Sequence, residues 1–304
     1  MATTVLGTDD GIRVLDPTRI EQLEGKRVSA LARGDGEVWA IADADELWRA
    51  ADGDYWERVA SSGDLRLACL DVSKGRVMAG TAEAHLLTLD GDELRLVDSF
   101  EDVEGRSAWY TPWGGPPDVR SIATAADGTM FVNVHVGGIV RSTDGGETWV
   151  PTIDIHADVH EVTTDPTDPD HVLAATAHGL AESEDAGHTW RYGTAGMHAA
   201  YCRAVTIAGD TVLVSCSTGP GGGKAALYAR PLGADAHAPF ERCREGLPEW
   251  FRGNLDTGCV RATGASVTVG TADGEVYRSE DTGATWSQAA EGMPAVRCVL
   301  LAPA

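Results

Sequence analysis

Apolar residues along this chain come in short runs, rich in Val, Ile and Leu, that stop at Gly, Asp or Asn and start again a few residues later. Seven such runs align with one another: Val5-Leu6-Gly7-Thr8, Val38-Trp39-Ala40-Ile41, Val77-Met78-Ala79-Gly80-Thr81, Met130-Phe131-Val132-Asn133-Val134, Val172-Leu173-Ala174-Ala175-Thr176, Val212-Leu213-Val214-Ser215 and Val267-Thr268-Val269-Gly270-Thr271. β-branched residues between turn signals read as strands rather than helices. Around each run the pattern predicts one unit: a strand, a Gly/Asp turn, the aligned strand ending in G-T or a relative of it, a short loop, a third strand, a turn and a fourth strand. A repeat in the forties is the length of one four-stranded propeller blade. The expectation is therefore an all-β chain, one seven-bladed β-propeller over residues 1–304. The first unit lacks an inner strand, and a spare one, Val296-Arg297-Cys298-Val299-Leu300-Leu301, ends the chain. The first blade is then built from residues 1–25 plus 296–304, which closes the ring and leaves no unpaired sheet edge.

Within these units one phrase recurs three times: Ser142-Thr143-Asp144-Gly145-Gly146-Glu147-Thr148-Trp149, Ser183-Glu184-Asp185-Ala186-Gly187-His188-Thr189-Trp190 and Ser279-Glu280-Asp281-Thr282-Gly283-Ala284-Thr285-Trp286, all S-x-D-x-G-x-T-W. Ser142 and Ser183 are 41 residues apart, and Ser183 and Ser279 are 96 apart, two steps with one degenerate copy between them. Weaker versions stand at Ala51-Asp52-Gly53-Asp54-Tyr55-Trp56 and Leu89-Asp90-Gly91-Asp92. The phrase is identified as the Asp-box, or BNR, motif. Over essentially its whole length the chain resembles the BNR-repeat, sortilin- or sialidase-like propellers, nearest to the bacterial and archaeal WD40/YVTN/BNR-like repeat proteins. The photosystem II assembly factors are another seven-bladed relative. The resemblance implies that each box is a structural turn between third and fourth strands, its Asp bonding backbone amides, its Gly left-handed and its Trp packed between sheets. It also implies that the boxes occupy one rim and functional loops the other. Calcium binding by the box aspartates stays open as an alternative, although each box supplies a single carboxylate.

Charge narrows the partners. The chain has 47 acidic against 24 basic residues, a net charge of −23, and its lysines are Lys26, Lys74 and Lys224 alone. Nucleic acid and anionic membranes both call for a basic face, so neither is expected. Acid excess with little lysine in a folding chain points to a salt-rich, halophilic interior. No run of eighteen apolar residues and no basic, apolar leader is present, so a monomeric cytoplasmic protein is expected. The six cysteines form no C-x-x-C pair and read as buried thiols, with a disulfide or soft-metal role as the alternative.

The loops assigned to the functional rim collect an uneven set of side chains. Five of the nine histidines map there: His135, His156, His160, His178 and His198. Neutral imidazoles with carboxylates suit a first-row divalent metal as well as acid–base chemistry near neutral pH. His135, His160 and His178 are the first metal ligands expected, with His156 a fourth candidate. In Asp154-x-His156-x-Asp158-x-His160 a period of two places the aspartates and histidines in register if the segment is extended. Asp158, His198 and Asp256 are the candidate acid–base residues. Trp109, Tyr110 and Trp113 on a Gly/Pro-rich loop, with Tyr201, Trp250, Arg252 and Asn254, are candidates for stacking on or binding a ligand. A plain polar rim is the competing reading, and for the aromatic loop a cap or a docking patch. The Gly-rich stretch Thr218–Lys224 lacks the phosphate-loop spacing and leads into no helix pattern, so it is not read as one.

Sialidases need an arginine triad, a Tyr/Glu pair and an F/Y-R-I-P segment. That segment is absent, and Arg106, Arg120, Arg203, Arg252 and Arg261 sit in no matching motif. A shared turn is not a shared activity, so sialidase activity is not expected. Three functions remain open: a small-molecule site, metal-dependent or not, on the His/carboxylate rim; a protein-docking scaffold like the assembly factors; and another glycosidase using two of Asp154, Asp158, Glu249 and Asp256.

Overall fold

In the computed structural model, which describes residues 2–15, 20–51 and 55–302, the strands form seven four-stranded antiparallel sheets, a seven-bladed β-propeller. The first sheet pairs Thr3–Thr8 with Gly11–Leu15 and Ile20–Gln22 on one side and with the C-terminal strand Val296–Ala302 on the other. The terminal strand thus supplies what the first unit lacked. The other sheets run in chain order, from Val28–Gly34 through Tyr55–Ser61, from Leu67–Ser73 through Glu93–Leu96, from Val119–Thr124 through Val150–Pro151, from Val159–Thr164 through Arg191–Gly193, from Tyr201–Ala208 through Glu241–Arg242, and from Val260–Thr263 through Ser287–Ala290. Two compact units divide the chain: Met1–Val28 with Ala174–Glu182 and Arg191–Ala304, and Ser29–Leu173 with Ser183–Trp190.

The second strand of a sheet is covered on both faces, as in Met130–Val134 and Val172–Thr176, where every residue is buried. This is why it reads as an unbroken apolar run. Several fourth strands are short; in one, Val150 and Pro151 are both exposed, and Pro is tolerated there because an edge N–H has no partner to lose. The recurrent G-T ending has two causes. A Cβ on Gly80 would lie 2.3 Å from Val119 Cγ1, and one on Gly270 would lie 2.4 Å from Val296 Cγ1, so the next inner strand passes too close for any side chain. The Thr hydroxyl then ties the following turn: Thr81 Oγ1 accepts from the amides of Glu83 and His85, and Thr271 Oγ1 from that of Glu275.

All three S-x-D-x-G-x-T-W phrases join a third strand to a fourth. In the first, Ser142 Oγ donates to Asp144 Oδ1 at 2.8 Å and accepts from Gly146 N, while Asp144 accepts the Glu147 and Thr148 amides and the Thr148 hydroxyl. Gly146, Gly187 and Gly283 have φ of 89°, 82° and 92°, left-handed values that L side chains avoid. Trp149 packs edge-on against Phe100 of the short helix Asp98–Glu101 (5.4 Å, 90°) and donates to Ser99 Oγ. The weaker turn at Asp90–Glu93 is a tight hairpin with Gly91 at φ 65°. Residues 52–54 of the other weak copy lie outside the described residues. The cysteines are buried thiols, and none forms a disulfide among the described residues. No described helix is long and apolar enough to cross a membrane.

Candidate metal centre

Within the Ser29–Leu173 unit, two turns deliver three ligand-type side chains to one place. His135 follows the strand Met130–Val134 and is 2% exposed; its amide donates to Asp118 O. The next residue, Val136, is buried at φ 48°. A β-branched residue in the left-handed region is a strained placement that its surroundings must enforce. The second turn is a single 3-10 turn, Ile155–Ala157, capped by Asp154, whose carboxylate accepts the His156 amide at 2.7 Å. It ends at Asp158, also left-handed (φ 50°, ψ 67°), before the strand Val159–Thr164 carries His160 into full burial.

This turn changes the expected register of 154–160. The segment is not extended over 155–157, because Asp154 caps a turn and buried Ile153 and Ala157 anchor it. His156 is therefore exposed and faces Tyr110, with Nδ1 and the phenol oxygen 3.3 Å apart, while Asp158 and His160 meet His135. Asp158 Oδ1 lies 2.8 Å from His135 Nε2 and 3.6 Å from His160 Nε2. One donor atom from each of the three residues falls within 4.8 Å of the other two. The 2.8 Å contact is short in distance but off the line of a ring N–H, and Oδ1 is buried without an aligned hydrogen-bond donor. Donor atoms that converge without pointing a proton at each other are arranged as around a cation.

The carboxylate is held ionised. Burial pushes the Asp158 carboxyl up, but the contact with His135 and the positive charges of His160, His135 and Arg120 together outweigh it, leaving the pKa below the ordinary value. Arg120 is itself tied to Asp118, whose Oδ1 stands 3.9 Å from the second ring nitrogen of His135. At that distance the carboxylate makes no hydrogen bond and Nδ1 is buried without a partner, so Asp118 faces the ring through its charge alone. Two residues before His135, Asn133 is fully buried; its side-chain amide donates to Ser121 Oγ and its Oδ1 accepts nothing from the protein. Above His135 lies Trp113, ring centroids 5.0 Å apart, 68% exposed.

The remaining candidates separate. Trp109 is half-buried against Phe100 with Arg106 over its ring at 4.9 Å, so it supports the loop that carries Tyr110 and Trp113. His178 is exposed in a two-residue turn, its amide bound to Thr176 Oγ1. The turn holding His135 has three residues, so the two histidines are not at matching positions. In the unit that also holds His178, His198 stacks on Tyr228 and bonds it (Nδ1 to hydroxyl, 2.7 Å) and lies 4.9 Å from Trp250. Asp256 pairs with Arg203 at 3.0 Å, and Arg203 sits over Tyr201. Asn254 donates to the Gly219 and Pro220 carbonyls, and Arg252 is exposed. Sequence reasoning did not single out Asp118, Asn133, Val136 or Tyr228. None carries a motif, and their importance comes from the turns that bring them beside the histidines.

No protein-family model and no curated protein matches the chain. Solved structures do. An ancestral GH74 enzyme superposes with a TM-score of 0.61 at 14% identity over 86% of this chain, which spans 38% of that enzyme's length. YCF48 from Cyanidioschyzon merolae superposes with a TM-score of 0.62 at 12% identity, over 88% of this chain and 92% of that one. YCF48 bound to D1 peptide superposes with a TM-score of 0.54 at 11% identity, over 97% and 86%. At such identities the likeness shows a shared propeller fold, and activity must be argued from the site.

Proposed function

We propose that the protein is a metal-dependent propeller enzyme in which His135, Asp158 and His160 hold a first-row divalent ion that acts on a small molecule admitted beside Trp113. The observation that carries this reading is the buried convergence of two imidazole nitrogens and one carboxylate oxygen, with Oδ1 of Asp158 lacking an aligned donor. Two His and one carboxylate are a complete protein set for a catalytic ion that keeps further positions for water and substrate. Such an ion supplies a Lewis acid and lowers the pKa of bound water. The Asp118–Arg120 pair stands beside the set as its charged surroundings, and Trp113 and Tyr110 offer a planar apolar wall for the ligand. Elemental analysis of protein prepared without chelators or a His-tag, then reconstituted, tests it. Close to one ion per chain in wild type, lost in His135→Ala and His160→Ala, is expected. Wild type that stays metal-poor after reconstitution with Zn, Mn, Co, Ni and Fe would overturn it.

A docking scaffold is the second reading. It is favoured by the exposure of Trp113 and Tyr110 and by the peptide-bound YCF48 structure among the similar folds. A glycosidase has less support. Its general acid needs a raised carboxyl pKa, whereas Asp158 is held low and Asp256 is paired with Arg203.

A further inference from the structure

Two cations gather around Trp250, in a chain whose acids outnumber its bases two to one. The Arg242 guanidinium lies 3.8 Å from the Trp250 ring centroid and the Lys224 ammonium 5.8 Å from it. Local structure sets this up. Phe251 N donates to Ala225 O, and the bridge between these two residues brings Trp250 beside Lys224. Arg242 stands opposite Tyr228 in the strand pair Ala226–Pro231 and Glu241–Arg242. Arg244 follows two residues later, exposed. The Gly-rich loop is ordered rather than slack. Thr218 N and Oγ1 both donate to Gly223 O, Asn254 donates to the Gly219 and Pro220 carbonyls, and Lys224 is held at φ 53°.

Among the described residues no ion pair involves Lys224, Arg242 or Arg244, and Arg242 donates no side-chain hydrogen bond. A guanidinium lying over a ring contacts it through its flat face and keeps its in-plane N–H donors available. The positive field is felt next door. Burial, then the charges of Arg242 and Lys224, lower His198 below its ordinary pKa against the effect of a hydrogen bond to the Lys224 backbone. The ring therefore stays neutral near pH 7 and adds no charge of its own, and its Nδ1 is engaged by Tyr228.

The geometry points to a second binding site, for a small multivalent oxyanion held by Lys224 and Arg242 beside Trp250. Its ligand carries phosphate or carboxylate groups, because in-plane guanidinium donors match both in a bidentate manner. In-plane donors left unmatched, in a chain where carboxylates outnumber cations, are what distinguishes this cluster from a stacked structural arginine.

Isothermal titration calorimetry at low ionic strength, on protein freed of metal over a chelating resin so that the His135 centre plays no part, tests the site. The probes are inorganic phosphate, pyrophosphate and citrate. Saturable binding of at least one is expected, weakened about tenfold or more in Arg242→Gln and in Lys224→Met, the usual worth of a charge-assisted hydrogen bond. Arg58→Gln, which removes an exposed charge elsewhere, should leave it unchanged. Preference for pyrophosphate over citrate would identify a phosphorylated ligand, and the reverse a polycarboxylate. Arg242→Lys, which keeps the charge without the planar fork, should bind more weakly than wild type while melting at the same temperature. No saturable binding by any probe, or equal weakening in Arg58→Gln and Arg242→Gln, would overturn the proposal.

Discussion

Asp158→Asn is the sharpest perturbation of the proposed metal centre. Asp158 is left-handed at φ 50°, a conformation Asn tolerates nearly as well as Asp. The substitution therefore removes charge without straining the turn, whereas Asp158→Ala would confound the two. With the carboxylate gone, two imidazoles remain, and metal affinity should fall by at least about a hundredfold, beyond the 10–100-fold typical of an outer-sphere loss. The consequence for stability follows by linkage. An ion at about one hundred times its dissociation constant adds about 2.7 kcal/mol to the folded state. At about 2–4 °C per kcal/mol for a large domain, that raises Tm by about 5–10 °C. The same ion concentration would sit near the dissociation constant of Asp158→Asn and move its Tm by about 1–2 °C or less. The assay is thermal melting with and without Zn2+ or Co2+, supported by Co2+ absorption, which reports ligand number directly. Affinity should also rise with pH through the imidazole range, because ligation needs neutral histidines and an ionised carboxylate. Equal metal-induced shifts in wild type and Asp158→Asn, or no shift in wild type, would refute the reasoning.

The box tryptophans should rank by burial: Trp149→Ala, which empties a site 7% exposed and breaks the contact with Phe100, should cost about 3–5 kcal/mol. Trp190→Ala should cost less, since Trp190 is half-buried and its Nε1 has no hydrogen-bond partner; denaturant midpoints decide the order, and equal losses would contradict it. For acid, burial pushes Asp185 up but the bonds from Thr189 and Ser183 prevail and hold it at about 2, against an ordinary 3.8. A depressed carboxyl stabilises above its unfolded pKa and loses that as pH falls through the folded one, so wild type should lose Tm between about pH 4 and 2 and Asp185→Asn should show a shallower loss; identical acid limbs would sink the account. With a net charge of −23, Tm should rise from near-zero to molar KCl and rise slightly from pH 7 toward 5, as repulsion is screened or titrated. Melting that is flat with salt would remove the halophilic reading and leave the fold argument intact.

Local chemistry alone determined the strands and their turns. A second strand covered on both faces must be apolar throughout, a G-T ending must accept a neighbouring strand at van der Waals distance, and a box must satisfy its own amides. Each demand falls on adjacent residues, so Val77–Thr81 and Ser142–Trp149 announce themselves in one sequence. The spare terminal strand was legible for the same reason, because an unpaired apolar run needs an edge and Thr3–Thr8 offered one. Fourth strands such as Val150–Pro151 were faint, being exposed and under no apolar constraint. Which histidines meet was a tertiary decision. His135 and His178 look alike in sequence, but one extra residue in the His135 turn sends their side chains along different paths. The period-two run 154–160 looked extended until Asp154 capped a turn that sent His156 toward Tyr110 and Asp158 toward His135. The cations around Trp250 come from two separate segments, and no local rule links Lys224 to Arg242. Side-chain direction depends on φ at a few turn residues, and those values are set by packing at a distance, which a local pattern does not encode.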